Sequence, residues 1–191
     1  MNTPAHLIFG LAAFAKPDAQ RVTLAAGMGA LLPDLSLYLL AGTSLFVLGI
    51  PAETVFGELY FSESWQLIFR IDNSFILWGL GLCAALWWRS DWGTALTGAA
   101  LLHLSLDFPL HHDDGRAHFW PLTDWIFQSP FSYWDRDHYA DVIGPIEMVA
   151  SAILCAVLWR RFRTLWSRIG ILALACAQIL PTFIWMFVFD T

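Results

Sequence analysis

Residues 22–50 read VTLAAGMGALLPDLSLYLLAGTSLFVLGI, an apolar run broken by one charge, Asp34. At 1.5 Å of rise per helical residue, it exceeds the ~20 residues needed to cross the hydrocarbon core of a bilayer. Five further apolar runs lie at 4–15, 75–88, 94–110, 142–159 and 169–189. The 169–189 run is also a full span, and 142–159 is close to one. Composition agrees. Of 191 residues, 58% are apolar, 16% aromatic and 14% charged, with a mean hydropathy of +0.57. Soluble domains carry about 25% charged residues. The expected fold is therefore all-α: a polytopic membrane helical bundle of about five to six transmembrane or half-spanning helices. It forms one integral-membrane domain over 1–191, with outer loops at 51–73 and 111–141.

Several classes are excluded. Thirteen Gly, nine Pro and three Cys fit neither a collagen-like chain, a disordered one nor a disulfide framework. Cys83, Cys155 and Cys176 sit in apolar runs and read as packing residues. A net charge of -6 disfavours nucleic-acid binding, which needs basic patches against phosphate.

The run at 4–15 is too short to cross alone and reads as a half-span or an oblique helix. Ala13-Phe14-Ala15 fits a signal-peptidase site, but Met-Asn-Thr-Pro-Ala-His has no basic leader region. Thr3-Pro4 instead reads as a helix start, with Thr3 as N-cap and Pro4 in the first helical position. A retained helix is the expectation.

Seven of the ten basic residues, Lys16, Arg21, Arg89, Arg160, Arg161, Arg163 and Arg168, fall at alternate ends of the runs. The positive-inside rule makes those ends cytoplasmic and the amino terminus external, which in a bacterial inner membrane means periplasmic. Trp87, Trp88, Trp92, Trp159 and Trp166 bracket the same ends as interface anchors. Of the sixteen acids, only Asp18 and Asp91 are then cytoplasmic.

Ionisable groups inside membrane helices are costly and point to function. His103 and Asp107 are spaced i, i+4 and share a helix face. Asp34 follows Pro33, which is expected to break or kink its helix. Val22 to Pro33 climbs about 18 Å, which puts Asp34 in the outer half. His6 and Asp72 come from two further stretches at similar depth, and His111-His112-Asp113-Asp114 follows directly on the fourth run. His with Asp suits zinc, iron or manganese. Simpler readings stand beside these. Asp72 or Asn73 can cap the third helix, and Glu147 can face a helix dipole behind Pro145. His118 and His138 read as solvated loop residues, and 111–114 as either a loop start or a site wall.

The chain resembles the bacterial inner-membrane metal-dependent hydrolases. The points of likeness are Pro4-Ala5-His6-Leu7, Gly29-Ala30-Leu31-Leu32-Pro33-Asp34-Leu35 and His103-Leu104-Ser105-Leu106-Asp107. The likeness runs through residues 4–112 and thins beyond. It implies zinc-phospholipase-C-like chemistry on a phosphoester, with His6, Asp34, His103 and Asp107 as ligands of a divalent metal, zinc above all. This chain departs from the pattern at Ser36, where the family has Asp, and at Asn73, where it has His. His111 and His112 are candidate compensating ligands. Some look-alikes carry a cobalamin-biosynthesis label, which no residue here supports: no phosphate-binding glycine loop follows Gly27-Met28-Gly29.

Two functions follow as expectations. One is an enzyme hydrolysing a lipid or lipid-linked phosphoester at the outer face, with Asp72 or Asp113 as base. The other is a non-catalytic membrane subunit or assembly factor on a degenerate hydrolase scaffold. Its partner would dock on the Trp-rich loop 119–134, which also reads as an interfacial segment or a lid. A transporter ranks last, because the sequence holds no internal repeat.

Overall fold

The computed structural model describes residues 1–184. It is helical throughout, with no strand among the described residues: α1 (Thr3–Phe14), α2 (Gln20–Gly42), α3 (Ala52–Thr54), α4 (Glu63–Asp72), α5 (Phe75–Trp87), α6 (Asp91–Asp107), α7 (Ala140–Arg161) and α8 (Leu165–Ile184). Wide π-type turns extend α2 over Thr43–Val47 and α3 over Val55–Leu59. Three stretches are long and apolar enough to cross a membrane: Gln20–Val47, Glu63–Trp87 and Ala140–Arg161. α1 and Leu165–Leu180 are shorter apolar helices. The chain is thus a helical bundle consistent with an integral membrane protein. Residues 185–189 of the sixth apolar run lie outside the described residues.

Local chemistry sets the helix starts. The side chains of Ser62, Ser74 and Ser90 each accept a backbone N–H of the following turn and cap α4, α5 and α6. Ser74, rather than Asp72 or Asn73, caps the third apolar run, while Asn73 ends α4. The stretch 51–73, expected as loop, carries α3 and α4, and α4 buries Trp65 and Phe69. α2 runs unbroken through Pro33, against the expected break. Proline removes one N–H from the ladder, but the buried packing around it holds the helix. α1 begins one residue early. Asn2 is its N-cap and Thr3 its first helical residue.

The centre of the bundle is α1, α2 and α6, joined by small residues. Ala5, Ala26, Ala30, Ala99 and Ala100 are fully buried. A Cβ on Gly10 would come within 2.6 Å of the Ala30 Cβ, and one on Gly29 would collide with the Leu96 carbonyl of α6. In lipid, where burial of apolar groups drives little, such close backbone approach is what holds helices together. The ends of the bundle are equally defined. Lys16 pairs with Asp91 at 3.1 Å, and Arg161 donates to the carbonyl of Ala12 at 2.7 Å, so the basic turns share one end. Met1, Asp34 and Asp107 meet at the other.

Gly29→Ala is expected to lower stability by about 1–3 kcal/mol, the cost of overpacking a tight interface. Gly79→Ala, where a Cβ meets open space, should change little. Thermal melts of the two detergent-solubilised variants make the comparison.

Candidate metal centre

α1, α2 and α6 converge on four side chains. α2 and α6 rise from the same end of the bundle, so Asp34 and His103 lie about 21 Å and 18 Å along them. His6 faces them from α1. The His6 and His103 rings stack with centroids 3.6 Å apart and planes 12° from parallel. Asp107 stands below both rings. Its Oδ1 is 2.9 Å from His6 Nε2 and its Oδ2 is 3.2 Å from His103 Nε2. Asp34 Oδ1 lies 3.6 Å from the same His103 nitrogen. Ligand atoms of His6, His103 and Asp107 all lie within 4.8 Å of one another, and all three residues are buried. Such a cluster can hold a metal ion.

The tautomer of His103 sharpens this. Its Nδ1 donates to the Ala30 carbonyl at 2.8 Å, so Nδ1 carries the proton. Nε2 then faces two carboxylates and has no well-directed hydrogen-bond partner. A positive charge, carried by a proton on Nε2 or by a metal ion, therefore belongs between this nitrogen and the two carboxylates. An imidazole whose other nitrogen is fixed on a backbone carbonyl is also the usual arrangement of a metal-ligating histidine. His6 Nδ1 is likewise buried without a partner. The amino group of Met1 lies on Asp107 Oδ1, so a cationic group already sits at the edge of the cluster. Thr3 Oγ1 donates to Asp34 Oδ2 at 2.5 Å and is 2.7 Å from the Tyr38 hydroxyl.

His111 joins from the turn after α6. Its Nε2 is 3.5 Å from Asp107 Oδ2 and its Nδ1 2.9 Å from Asp114 Oδ2. Burial disfavours its charged form, but the bonds to Asp107 and Asp114 outweigh that and raise its pKa. His112 turns away from the cluster. Its Nδ1 donates to the Ser129 carbonyl at 2.6 Å and its ring stacks on His138. Asp113 lines the cavity next to the cluster, and Asp72 is not part of that wall. Asn73 has no place among the ligands. Its Nδ2 donates to the carbonyls of Phe69, at 3.0 Å, and Pro33, at 3.3 Å, and so ties the α4–α5 joint to α2.

The cluster opens into a cavity of about 420 Å³. Tyr38, Tyr60, Tyr133, Phe56 and Phe61 form much of its wall, and Arg116 is its one Lys or Arg among the described residues. Burial raises the phenols of Tyr60 and Tyr133, which stay neutral. The Arg116 guanidinium lies 4.2 Å over the Phe69 ring and 4.9 Å over that of Tyr60, and its Nη1 is buried without a partner. Nothing along the chain marks this residue, since a lone Arg in a polar loop has no period or motif to single it out.

His118 corrects an expectation in a different way. Read as solvated, it is buried among Phe75, Phe108 and Phe119, and its Nδ1 donates to the Asn73 carbonyl at 2.9 Å. The surrounding aromatic residues Phe119 and Phe127 are visible in the sequence, but their packing on Phe108 is not. Burial pushes the His118 imidazole down to about 4.

Comparison with known protein families, curated proteins and solved structures finds no match. The geometry therefore carries the functional reading.

His118 also makes a prediction. Its folded pKa of about 4 lies below the ordinary 6.5, so the unfolded chain takes up the proton first. Its contribution to stability is complete above pH 6.5 and is lost as the pH falls toward 4. His118→Gln keeps a donor for the Asn73 carbonyl and removes the titration. The variant should show a flatter fall of Tm between those pH values than the parent protein.

Proposed function

We propose that this chain is a membrane-bound metal-dependent hydrolase acting on a phosphoester or lipid-like substrate at the outer membrane face. The reading includes a bundle that crosses a bacterial inner membrane five to six times, with the amino terminus and the cavity on the periplasmic side. The observation that carries the chemistry is His103 Nε2, buried and aimed at Asp34 and Asp107 with its other nitrogen fixed on Ala30. The resemblance of the His6, Asp34 and His103/Asp107 motifs to those of the inner-membrane metal-dependent hydrolases points the same way, on sequence grounds alone.

His6, His103 and Asp107, with Asp34, would hold a divalent ion, and imidazole with carboxylate suits zinc. Bound there, such an ion supplies an acidified water and polarises a phosphoryl or ester oxygen. The chain's own groups do the rest. Asp113, exposed in the same cavity, is placed to take a proton, and Asp72 is less well placed because it lies off the wall. Arg116 offers a buried, unpartnered donor to an anionic substrate group. The neutral phenols of Tyr60 and Tyr133 can donate to further oxygens. Phe56 and Phe61 expose large apolar surface beside the opening, which suits a substrate with a lipid tail.

A second reading has its own observation. Leu122, Trp125, Ile126, Phe131 and Trp134 are exposed along the loop 119–134. That apolar strip favours a segment that rests on lipid or docks a membrane-protein partner, as a non-catalytic subunit would.

The purified protein is expected to carry about one zinc-class ion per chain by elemental analysis, as a single cluster of this type holds. His103→Ala and Asp107→Asn should abolish that content and any hydrolysis of a chromogenic phosphodiester, with helical content retained. His112→Ala should keep both. Full metal content in His103→Ala and Asp107→Asn would rule out this centre, and a metal-free protein with a stoichiometric partner would favour the subunit.

A further inference from the structure

A second polar cluster lies on the far side of α1, between α7 and α8. On α7 the buried residues are Glu147, Ser151, Cys155 and Leu158, a single helix face at the expected spacing. The lower part of that face packs into an apolar layer with Ile8, Ala12 and Ile171. The upper part is polar. Glu147 stands fourteen residues before the end of α7 and Gln178 thirteen after the start of α8. At 1.5 Å per residue, both lie about 20 Å from the turn that joins the two helices, so they meet at one level.

Glu147 is not the helix-end acid that its position after Pro145 suggests. It is only 4% exposed, and its Oε1 accepts three hydrogen bonds: from the Asn2 backbone at 3.1 Å, Asn2 Nδ2 at 2.9 Å and Gln178 Nε2 at 2.7 Å. Its Oε2 accepts none. Two neighbouring oxygens are in the same condition. Gln178 Oε1 is buried without a partner, on the amide that already touches Glu147. Ser151 Oγ, one turn along from Glu147, is also buried and unpartnered.

The serine is the most telling. A hydroxyl inside a helix ordinarily bonds the carbonyl one turn back. Thr97 does so to Gly93 at 2.8 Å, and Ser105 does so to Leu101 at 2.7 Å. Ser151 does not, although that partner is available to it. Three buried oxygens at one level of two neighbouring helices are therefore left without a hydrogen-bond partner, two of them on α7, which is apolar enough to span a membrane. Leaving buried acceptors unpaired in such a layer is costly.

A cation is the one ligand that uses all three as acceptors and also offsets the Glu147 charge. We infer that Glu147 Oε2, Ser151 Oγ and Gln178 Oε1 form a second cation site, separate from the His/Asp centre, that takes one alkali-metal ion of the sodium class. The ligands are a carboxylate, a hydroxyl and an amide carbonyl, all hard oxygens, and none is the imidazole or thiolate that a transition metal favours. Charge selects the valence. One carboxylate is present, and among the described residues no basic side chain bonds it. A monovalent ion brings the cluster to neutrality, whereas a divalent one would leave an uncompensated charge in a low-dielectric layer. Three protein oxygens supply about half of the six ligands a hard cation takes.

The test is the melting of the detergent-solubilised full chain in sodium chloride against choline chloride at equal ionic strength. Sodium at about ten times its Kd should raise Tm by about 4 °C. Ser151→Ala and Glu147→Gln should lose most of that shift, while His103→Ala should keep it, which separates this site from the metal centre. Should Glu147→Gln fail to fold, Ser151→Ala decides. Equal melting of the parent protein in the two salts overturns the inference, and so does a Tm that follows pH but not sodium, which would assign the position to a proton. A full sodium shift in Ser151→Ala overturns it as well.

Discussion

Everything at the His/Asp end of this bundle depends on how closely α1, α2 and α6 approach. Gly29 lets the backbone of α2 rest on that of α6 at Leu96, and Gly10 lets α1 settle on Ala30. The neighbouring contacts are alanines with no exposed surface. Larger residues would satisfy the hydropathy pattern equally well but would push the helix axes apart. The His6 and His103 rings could not then stack at 3.6 Å, and two carboxylates from α2 and α6 could not share one imidazole nitrogen. Close packing and the site are thus the same feature seen at different heights of the bundle.

The first turn of α1 shows how the polar ends are tied together. The N–H groups that open a helix have no partners inside it. Here they and their side chains are distributed over three other helices. Met1 reaches Asp107 of α6, Asn2 reaches Glu147 of α7 and Thr3 reaches Asp34 of α2. Three consecutive residues therefore connect the His/Asp centre with the Glu147 cluster. The same helix carries His6.

The sequence made the class of fold legible because hydropathy is a one-dimensional property. The long run at 22–50, the i, i+4 pair His103 and Asp107, and the placement of Lys16 and Arg161 at a shared end all follow from spacing along the chain. His6 and Asp34 were legible as polar residues at a costly depth. What was not legible depends on which faces meet. His112 follows His111 directly, yet successive residues in a turn point in different directions, and one reaches Asp107 while the other stacks on His138. His118 looks solvated until Phe75 and Phe108 are brought against it. Pro33 has a strong local preference against helix, but tertiary packing overrides it. Glu147 was misread for the same reason: distance from a helix start suggests a dipole partner, and only the fold shows Asn2 and Gln178 arriving from elsewhere.

The distribution of buried charge links these observations. Asp107 and Glu147 are almost wholly buried and Asp34 largely so, while Lys16 and Arg161 sit at the opposite end. The Met1 amino group is the one fixed cation that touches this set of carboxylates among the described residues. Buried carboxylates without matched cations are expensive in a low-dielectric layer, and a fold tolerates them where something positive is recruited. The two clusters differ in what they can recruit. Imidazole nitrogens beside Asp34 and Asp107 would suit a transition metal, whereas hydroxyl and amide oxygens beside Glu147 would suit a hard ion. The helices supply negative charge at both clusters, and the donor atoms around each carboxylate decide which cation would suit it.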